Sequence, residues 1–264
     1  MKSIPLVSDA IARLRACAPL VHNITNYVVM NTTANALLAI GASPAMVHAE
    51  EEVAEFAGIS QALVINIGTL SAPWFVAMEM AAASANRAGV PWVLDPVAAG
   101  ATTFRRQASA ELASLRPAAI RGNASEILAL AGATGSGKGV DSTAAVESAE
   151  DAARSLARTF GAAVAVSGAV DFITDGEREA RVANGDPMLT RVTGMGCTAT
   201  ALTGAYLGAG LAAPEACVAA LVTLGVAGEI AAKASDGPGS FYVNVIDALH
   251  ALDDGMLAAR ARAT

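Results

Sequence analysis

The sequence predicts an α/β fold in which a mostly parallel sheet carries helices on both faces. Three observations predict it. Short apolar runs alternate with longer alanine-rich segments through most of the chain. The runs lack a polar alternation, as strands buried on both faces do. Polar and glycine residues gather directly after each run, where a parallel sheet exposes its carboxyl edge.

The length of 264 residues suits one domain, either a barrel or a doubly wound sheet. Hydrophobic residues are 54% and charged residues 16%, enough for a large core, but aromatics are only 4%. Alanine and glycine dominate instead, so the helices must approach the sheet closely through small side chains.

Taken in order, strands are expected at Pro19–Val21, Ala45–Val47, Ala62–Ile67, Pro91–Leu94, Ala118–Ile120 and Ala162–Val166, with helices such as Asn31–Ile40, Ala72–Ala88 and Ala108–Leu115 between them. Phe172–Thr174 and Glu179–Val182 flank Asp175-Gly176, a hairpin signal for an antiparallel pair near a sheet edge. From Cys197 the chain reads helical: Cys197–Leu211, Pro214–Ala234 and Pro238–Arg262. Proline suits the first turn of the last two. Val192 to Pro214 lacks charge over roughly the length of a bilayer span. Its Gly, Ala and Thr content adds little lipid transfer energy, so a helix buried in a soluble core is expected, with no membrane partner.

Several classes are disfavoured. The formal charge is −7 without a Lys/Arg run, so no nucleic-acid partner is expected. Cys17, Cys197 and Cys217 are an odd number without a close pair, and His22, His48 and His250 are far apart. That argues against a disulfide framework or a zinc cluster and fits a reducing cytoplasm. The first residues reach Asp9, Arg13 and Arg15 without an apolar core, so no signal peptide is expected.

Chemistry concentrates after the strands. Thr193-Gly194-Met195-Gly196-Cys197-Thr198 precedes an apolar helix; its glycines can turn amides toward an anion, and a cysteine at a helix amino end has reason for a lowered pKa. By itself the segment also fits an ordinary glycine turn. Asn123-Ala124-Ser125-Glu126 reads as a capping box, or as a site where Glu126 directs a water on Mg²⁺. Asp95 closes an apolar strand, where an unpaired carboxylate is costly; it is either a turn former before Pro96 or a second acidic group for a metal–phosphate site. Arg121 follows a strand on the same edge, placed to grip phosphate.

Two motifs are set aside. Gly132–Gly139 nearly spells a Walker A loop, but Gly139 stands where a hydroxyl must hold magnesium and a helix precedes it, so a flexible surface loop is expected. Gly194 to Ala199 matches a loose dinucleotide pattern without the following strand and its acidic end.

Asn123-Ala124-Ser125-Glu126 resembles the magnesium motif of ribokinase-like kinases, and Gly194-Met195-Gly196-Cys197 resembles their anion hole, with cysteine where most carry aspartate. That cysteine, with Val21 to Val29, Gly41 to Met46 and Asn66-Ile67-Gly68-Thr69-Leu70, is similar to the hydroxyethylthiazole kinase family of thiamine salvage. The cysteine separates the chain from hydroxymethylpyrimidine or pyridoxal kinases and from a nucleotide-dependent dehydratase of the same fold. The resemblance implies a ribokinase-like three-layer sandwich, and transfer of the γ-phosphoryl group of ATP to 4-methyl-5-(2-hydroxyethyl)thiazole with Mg²⁺. By the same resemblance, Met46 and Gly194 contact the thiazole and Asn23 sits near its hydroxyl. Arg121, Ser167, Gly168 and Gly196 bind nucleotide, Asp95 and Glu126 serve the metal, and Cys197 stands where the alcohol is activated. Ser167 replaces a commoner threonine and keeps the hydroxyl. A homotrimer with active sites at subunit boundaries is implied too.

Overall fold

In the computed structural model, which describes residues 2–134 and 145–264, nine strands form one sheet in the order β1-β9-β8-β7-β6-β5-β4-β2-β3. The strands are β1 (Lys2–Ser3), β2 (Leu20–Ile24), β3 (Ser43–Ala45), β4 (Ala62–Asn66), β5 (Trp92–Asp95), β6 (Ala119–Asn123), β7 (Ala163–Ser167), β8 (Asp171–Thr174) and β9 (Arg178–Val182). From β3 to β7 every neighbouring pair is parallel, and only β7–β8 and β8–β9 are antiparallel. The hairpin at Asp175-Gly176 thus lies where expected, with two-residue β1 added outside it in parallel.

Helices α1 (Ala10–Cys17), α2 (Met30–Ile40), α8 (Met195–Gly208), α9 (Ala213–Lys233), α10 (Pro238–Ala251) and α11 (Asp254–Arg260) cover one face. Helices α3 (Val53–Ile59), α4 (Ala72–Ala88), α5 (Thr103–Ser114), α6 (Ala124–Ala133) and α7 (Ala145–Phe160) cover the other. The two cores are separated by the sheet, whose strands divide their side chains between them: Val21, Val64 and Val93 face α8, while Leu63, Ile65, Trp92 and Leu94 face α4. The result is a three-layer sandwich.

Small residues set the spacing, as the composition implies. A Cβ at Gly204 would lie 2.5 Å from Val64 Cγ2, and one at Gly208 2.9 Å from Pro19 Cβ. Gly204→Ala is expected to lower the thermal midpoint by roughly 2–10 °C, since overpacking costs about 1–3 kcal/mol and each kcal/mol moves a domain of this size by a few degrees. An unchanged melting curve would show that α8 can lift off the sheet freely.

Three expectations need correction. The expected Pro238–Arg262 helix is two, α10 and α11, with Asp253 capping the second by accepting from Met256 N at 2.7 Å. The strands also run further than their apolar cores: β2 extends through His22, Asn23 and Ile24, and β6 through Arg121 to Asn123. The parallel ladder continues there because backbone pairing does not depend on side-chain polarity. Residues expected in loops therefore sit on the last rungs of strands. Strand β3 instead ends earlier than expected, at Ala45, which leaves Met46 and Val47 beyond it.

The uncharged segment from Val192 contains α8, almost wholly buried. Helix α9 is itself long and apolar enough to cross a membrane, but 78% of its apolar window is buried inside the fold. Most of the Gly132–Gly139 segment lies outside the described residues.

The site is positioned by a change of side. Neighbours β2 and β4 send their following helices to opposite faces, α2 to one and α4 to the other. Ligands of open α/β sheets bind in the crevice that such a switch point opens beyond the carboxyl ends of the strands.

Candidate active site

Helix α8 begins at this crevice. Gly194, its N-cap, has φ 86°, and a Cβ there would lie 2.8 Å from Val29 Cγ1, so only glycine fits on both counts. The turn presents the unpaired amides of the first helical residues, a natural seat for an anion. What precedes it is a 3₁₀ turn (Pro187–Arg191), not a strand, which rules out the dinucleotide pattern.

Arg121 on β6 lies directly beneath. Its Nη2 donates to Ser167 Oγ at 2.7 Å, and its buried Nε has no partner. A Cβ on Gly196 would come within 2.7 Å of Nη1. The guanidinium therefore packs against the glycine turn with hydrogen-bonding capacity to spare. Gly168 N–H donates to Asp171 Oδ1 at 2.9 Å, which fixes the turn after β7. Burial pushes the Asp171 carboxyl up to about 6, against the pull of the Gly168 amide and Arg121.

Arg121, Ser167, Gly168, Asp171, Gly194 and Gly196 all line one cavity of about 680 Å³. Its remaining wall is largely apolar, with Leu189, Val192, Leu221 and Leu224. A charged, amide-rich end and an apolar end match a phosphorylated ligand with a flat organic group.

Asp95 ends β5, and Glu126 lies in the first turn of α6, directly after β6. Asp95 is 1% exposed, and its Oδ2 accepts from Asn66 Nδ2 and Thr200 Oγ1, each at 2.8 Å. The carboxylate is thus paired, as its burial demands. Burial raises it to about 6; Arg121 opposes that and the like charge of Glu126 adds to it. Glu126 forms the expected capping box with Asn123. Its Oε2 accepts from Asn123 N at 2.8 Å and its Oε1 from Ala98 N at 2.9 Å, which ties the loop after β5 to the start of α6.

Cys197 corrects the expectation of a lowered pKa. Its thiol is pushed up to about 11, by burial first and then by the charge of Asp95. The amides of Asn66 and Asn26 and the charge of Arg121 pull the other way and do not prevail. Three residues to which the sequence assigned no role connect it with Asp95. Asn26 Nδ2 donates to Cys197 Sγ at 3.6 Å and to Asn66 Oδ1 at 2.9 Å; Asn66 and Thr200 hold Asp95. Their one signal was position, since Asn66 ends an otherwise apolar strand and Asn26 follows another.

Of the two remaining candidates, Asn23 is buried on β2 with Nδ2 donating to Val21 O at 2.8 Å and Oδ1 without a partner. Met46 is half-buried just beyond β3. Neither belongs to the cavity wall.

Fold and site together define a kinase of the ribokinase-like class. The comparisons agree. A pyridoxal kinase from Staphylococcus aureus, solved with AMP-PCP and pyridoxal, superposes with a TM-score of 0.62 at 18% identity, covering 80% of this chain and 88% of that one, a likeness of fold alone. A hydroxyethylthiazole kinase structure from Pyrococcus horikoshii OT3 superposes with a TM-score of 0.91 at 47% identity, covering 97% and 96%. Curated hydroxyethylthiazole kinases from Rhizobium etli and Cereibacter sphaeroides are 59% and 58% identical, over 94% of this chain and 97% and 95% of theirs. The model of the hydroxyethylthiazole kinase family matches residues 11–255. The chain belongs to the hydroxyethylthiazole kinase family.

Proposed function

We propose that the chain transfers the γ-phosphoryl group of ATP to the hydroxyl of 4-methyl-5-(2-hydroxyethyl)thiazole, with Mg²⁺, in thiamine synthesis and salvage. The observation that carries this reading is the glycine turn of α8 seated on Arg121 at the mouth of the 680 Å³ cavity. Phosphoryl transfer asks mainly for positioning and charge neutralisation, which amides and a guanidinium supply. Arg121, Ser167, Gly168 and Gly196 hold the nucleotide phosphates. The thiazole lies against Met46 and Gly194, with Asn23 and its unpaired Oδ1 near the hydroxyl.

Asp95 and Glu126 suit Mg²⁺. Burial, with the like charge of Glu126 adding to it, raises the cost of ionising Asp95, and a cation held there would relieve it. Among the described residues no three His, Cys, Asp or Glu cluster as a cage, which fits an ion held chiefly by phosphates and waters with one or two carboxylates. When bound, the ion neutralises charge on the phosphate oxygens.

Incubation with Mg-ATP and the thiazole alcohol should yield the phosphate ester by mass detection; ADP release without ester would refute the reading. Cys197 has a modest task, since a thiol near 11 carries its proton at neutral pH. Cys197→Ala is expected to lower kcat about tenfold and Cys197→Asp to match or exceed the native chain. Wild-type kcat should climb with pH toward the thiol's range while that of Cys197→Asp stays flat; parallel profiles would remove Cys197 as proton acceptor.

The same reading includes a homotrimer and a cytoplasmic location. Tyr27, Val28, Leu38 and Val243 are more than half exposed, and Tyr27 and Val28 follow the strand that carries Asn23. A second copy covering them would complete the alcohol side of the site. Light scattering that returned a monomer mass would overturn the assembly. Three free cysteines suit a reducing compartment.

A further inference from the structure

From the hydrogen-bond pattern at the crevice we infer that Asn26 and Asn66 form a one-directional amide relay that presents an N–H to Cys197 Sγ, making them positioning residues for the transfer. The inference rests on the kinase reading and deepens it.

The direction is set by groups that can only donate. Gly68 N–H donates to Asn66 Oδ1 at 2.9 Å, so the Asn66 amide must turn its Nδ2 the other way, to Asp95 Oδ2 at 2.8 Å. This holds whatever the protonation of Asp95. Val28 N–H likewise donates to Asn26 Oδ1 at 3.1 Å, so Asn26 Nδ2 must point at Asn66 Oδ1 and at Cys197 Sγ. Neither amide can flip without leaving a backbone N–H and a side-chain N–H facing each other. Both side chains are buried, Asn66 at 1% exposure and Asn26 at 5%. Burial makes such a mismatch costly.

Sterics reinforce the polarity. A Cβ on Gly68 would fall 2.5 Å from Asn26 Nδ2 and 2.7 Å from its Cβ and Cγ. The Asn26 amide is clamped between the Gly68 backbone and Asn66. Arg105 holds the outer side of this clamp, with Nη2 on Gly68 O and Nη1 on Val97 O, across the loops that follow β4 and β5.

The consequence concerns the reacting alcohol. With Asn26 occupying a lone pair of the sulfur, Cys197 is cast as an acceptor, and a neutral thiol must turn its S–H elsewhere. A carboxylate at position 197 would accept the same N–H and keep its other oxygen for the substrate hydroxyl. The relay therefore fits an acceptor at 197 and predicts that any gain from Cys197→Asp depends on Asn26.

A double-mutant cycle tests this. Steady-state kinetics are measured for the native chain, Cys197→Ala, Cys197→Asp, Asn26→Ala, Gly68→Ala, and Asn26→Ala and Gly68→Ala each combined with each Cys197 variant. Neighbours that act together are energetically coupled, so the ratio of kcat between Cys197→Asp and Cys197→Ala is expected to shrink about tenfold when Asn26 is alanine. KM for ATP should stay within about twofold in the same variants, because the relay lies off the nucleotide cavity. Gly68→Ala retains every polar group and should reproduce the loss by displacing the Asn26 amide. An unchanged Asp-to-Ala ratio in both the Asn26→Ala and Gly68→Ala backgrounds would overturn the relay, even if those variants melt earlier. If the native chain makes no thiazole phosphate, the kinase reading fails first, and the cycle is then distinguished from it by that control.

Discussion

Asp95→Asn is expected to raise thermal stability at pH 8 while lowering kcat by about 10²–10³. The carboxyl is 1% exposed and stands near 6 in the folded protein, against 3.8 in an open chain. The folded state therefore binds this proton more tightly than the unfolded state, and stability falls as pH rises from about 4 to 6. Above that window the ionised carboxylate costs the fold on the order of 2–3 kcal/mol. Asparagine removes the charge and keeps an oxygen for Asn66 and Thr200, so the midpoint should rise by several degrees. In acid, where both forms are neutral, the difference should vanish. Melting curves at pH 8 and pH 4 in EDTA, without nucleotide, measure it. The activity loss has the opposite origin: on the proposed reading the charge that costs the fold is what would help hold Mg²⁺ on the phosphates, worth several kcal/mol in the transition state. A variant no more stable at pH 8 than the native chain would show that Asp95 is already neutral there.

The sheet was legible because its strands are apolar on both faces, a pattern that needs no tertiary knowledge. Leu63, Val64 and Ile65 on β4 show it plainly. The polar strand ends were less so. Asn23, Asp95, Arg121 and Ser167 look like loop residues until their partners are known, and those partners lie on other strands: Arg121 meets Ser167 across β6 and β7, and Asp95 meets Asn66 across β5 and β4. Strand β1 has two residues and exists only through its pairing with β9, so no local signal could announce it. Asn26 and Asn66 were read as motif residues without roles, since an asparagine after a strand is equally a turn former. The Cys197 thiol was misjudged for a related reason. Its position at a helix amino end is visible in sequence and favours the thiolate, whereas the burial that outweighs it is a property of the packed fold.

Gly196→Ala should be nearly as damaging as losing Arg121 altogether. No positive φ is required at Gly196, so the backbone accepts alanine, but the new methyl would sit 2.7 Å from Arg121 Nη1 and 3.3 Å from its Cζ. The guanidinium must retreat, giving up the 2.7 Å bond to Ser167 Oγ and its place in the cavity wall. Charge-assisted hydrogen bonds contribute about 1.5–3 kcal/mol each, so losing one or two costs about a hundredfold in kcat/KM for ATP. The Arg121→Ala variant should lose a similar factor, and the double variant little more, because both remove the same contact. KM for the thiazole should move far less than the ATP term. The methyl also crowds the first turn of α8, so the melting temperature is needed beside the kinetics. A Gly196→Ala enzyme that keeps its ATP parameters, or losses that multiply in the double variant, would mean that the phosphates lie away from the α8 turn and that Arg121 serves the fold rather than the nucleotide.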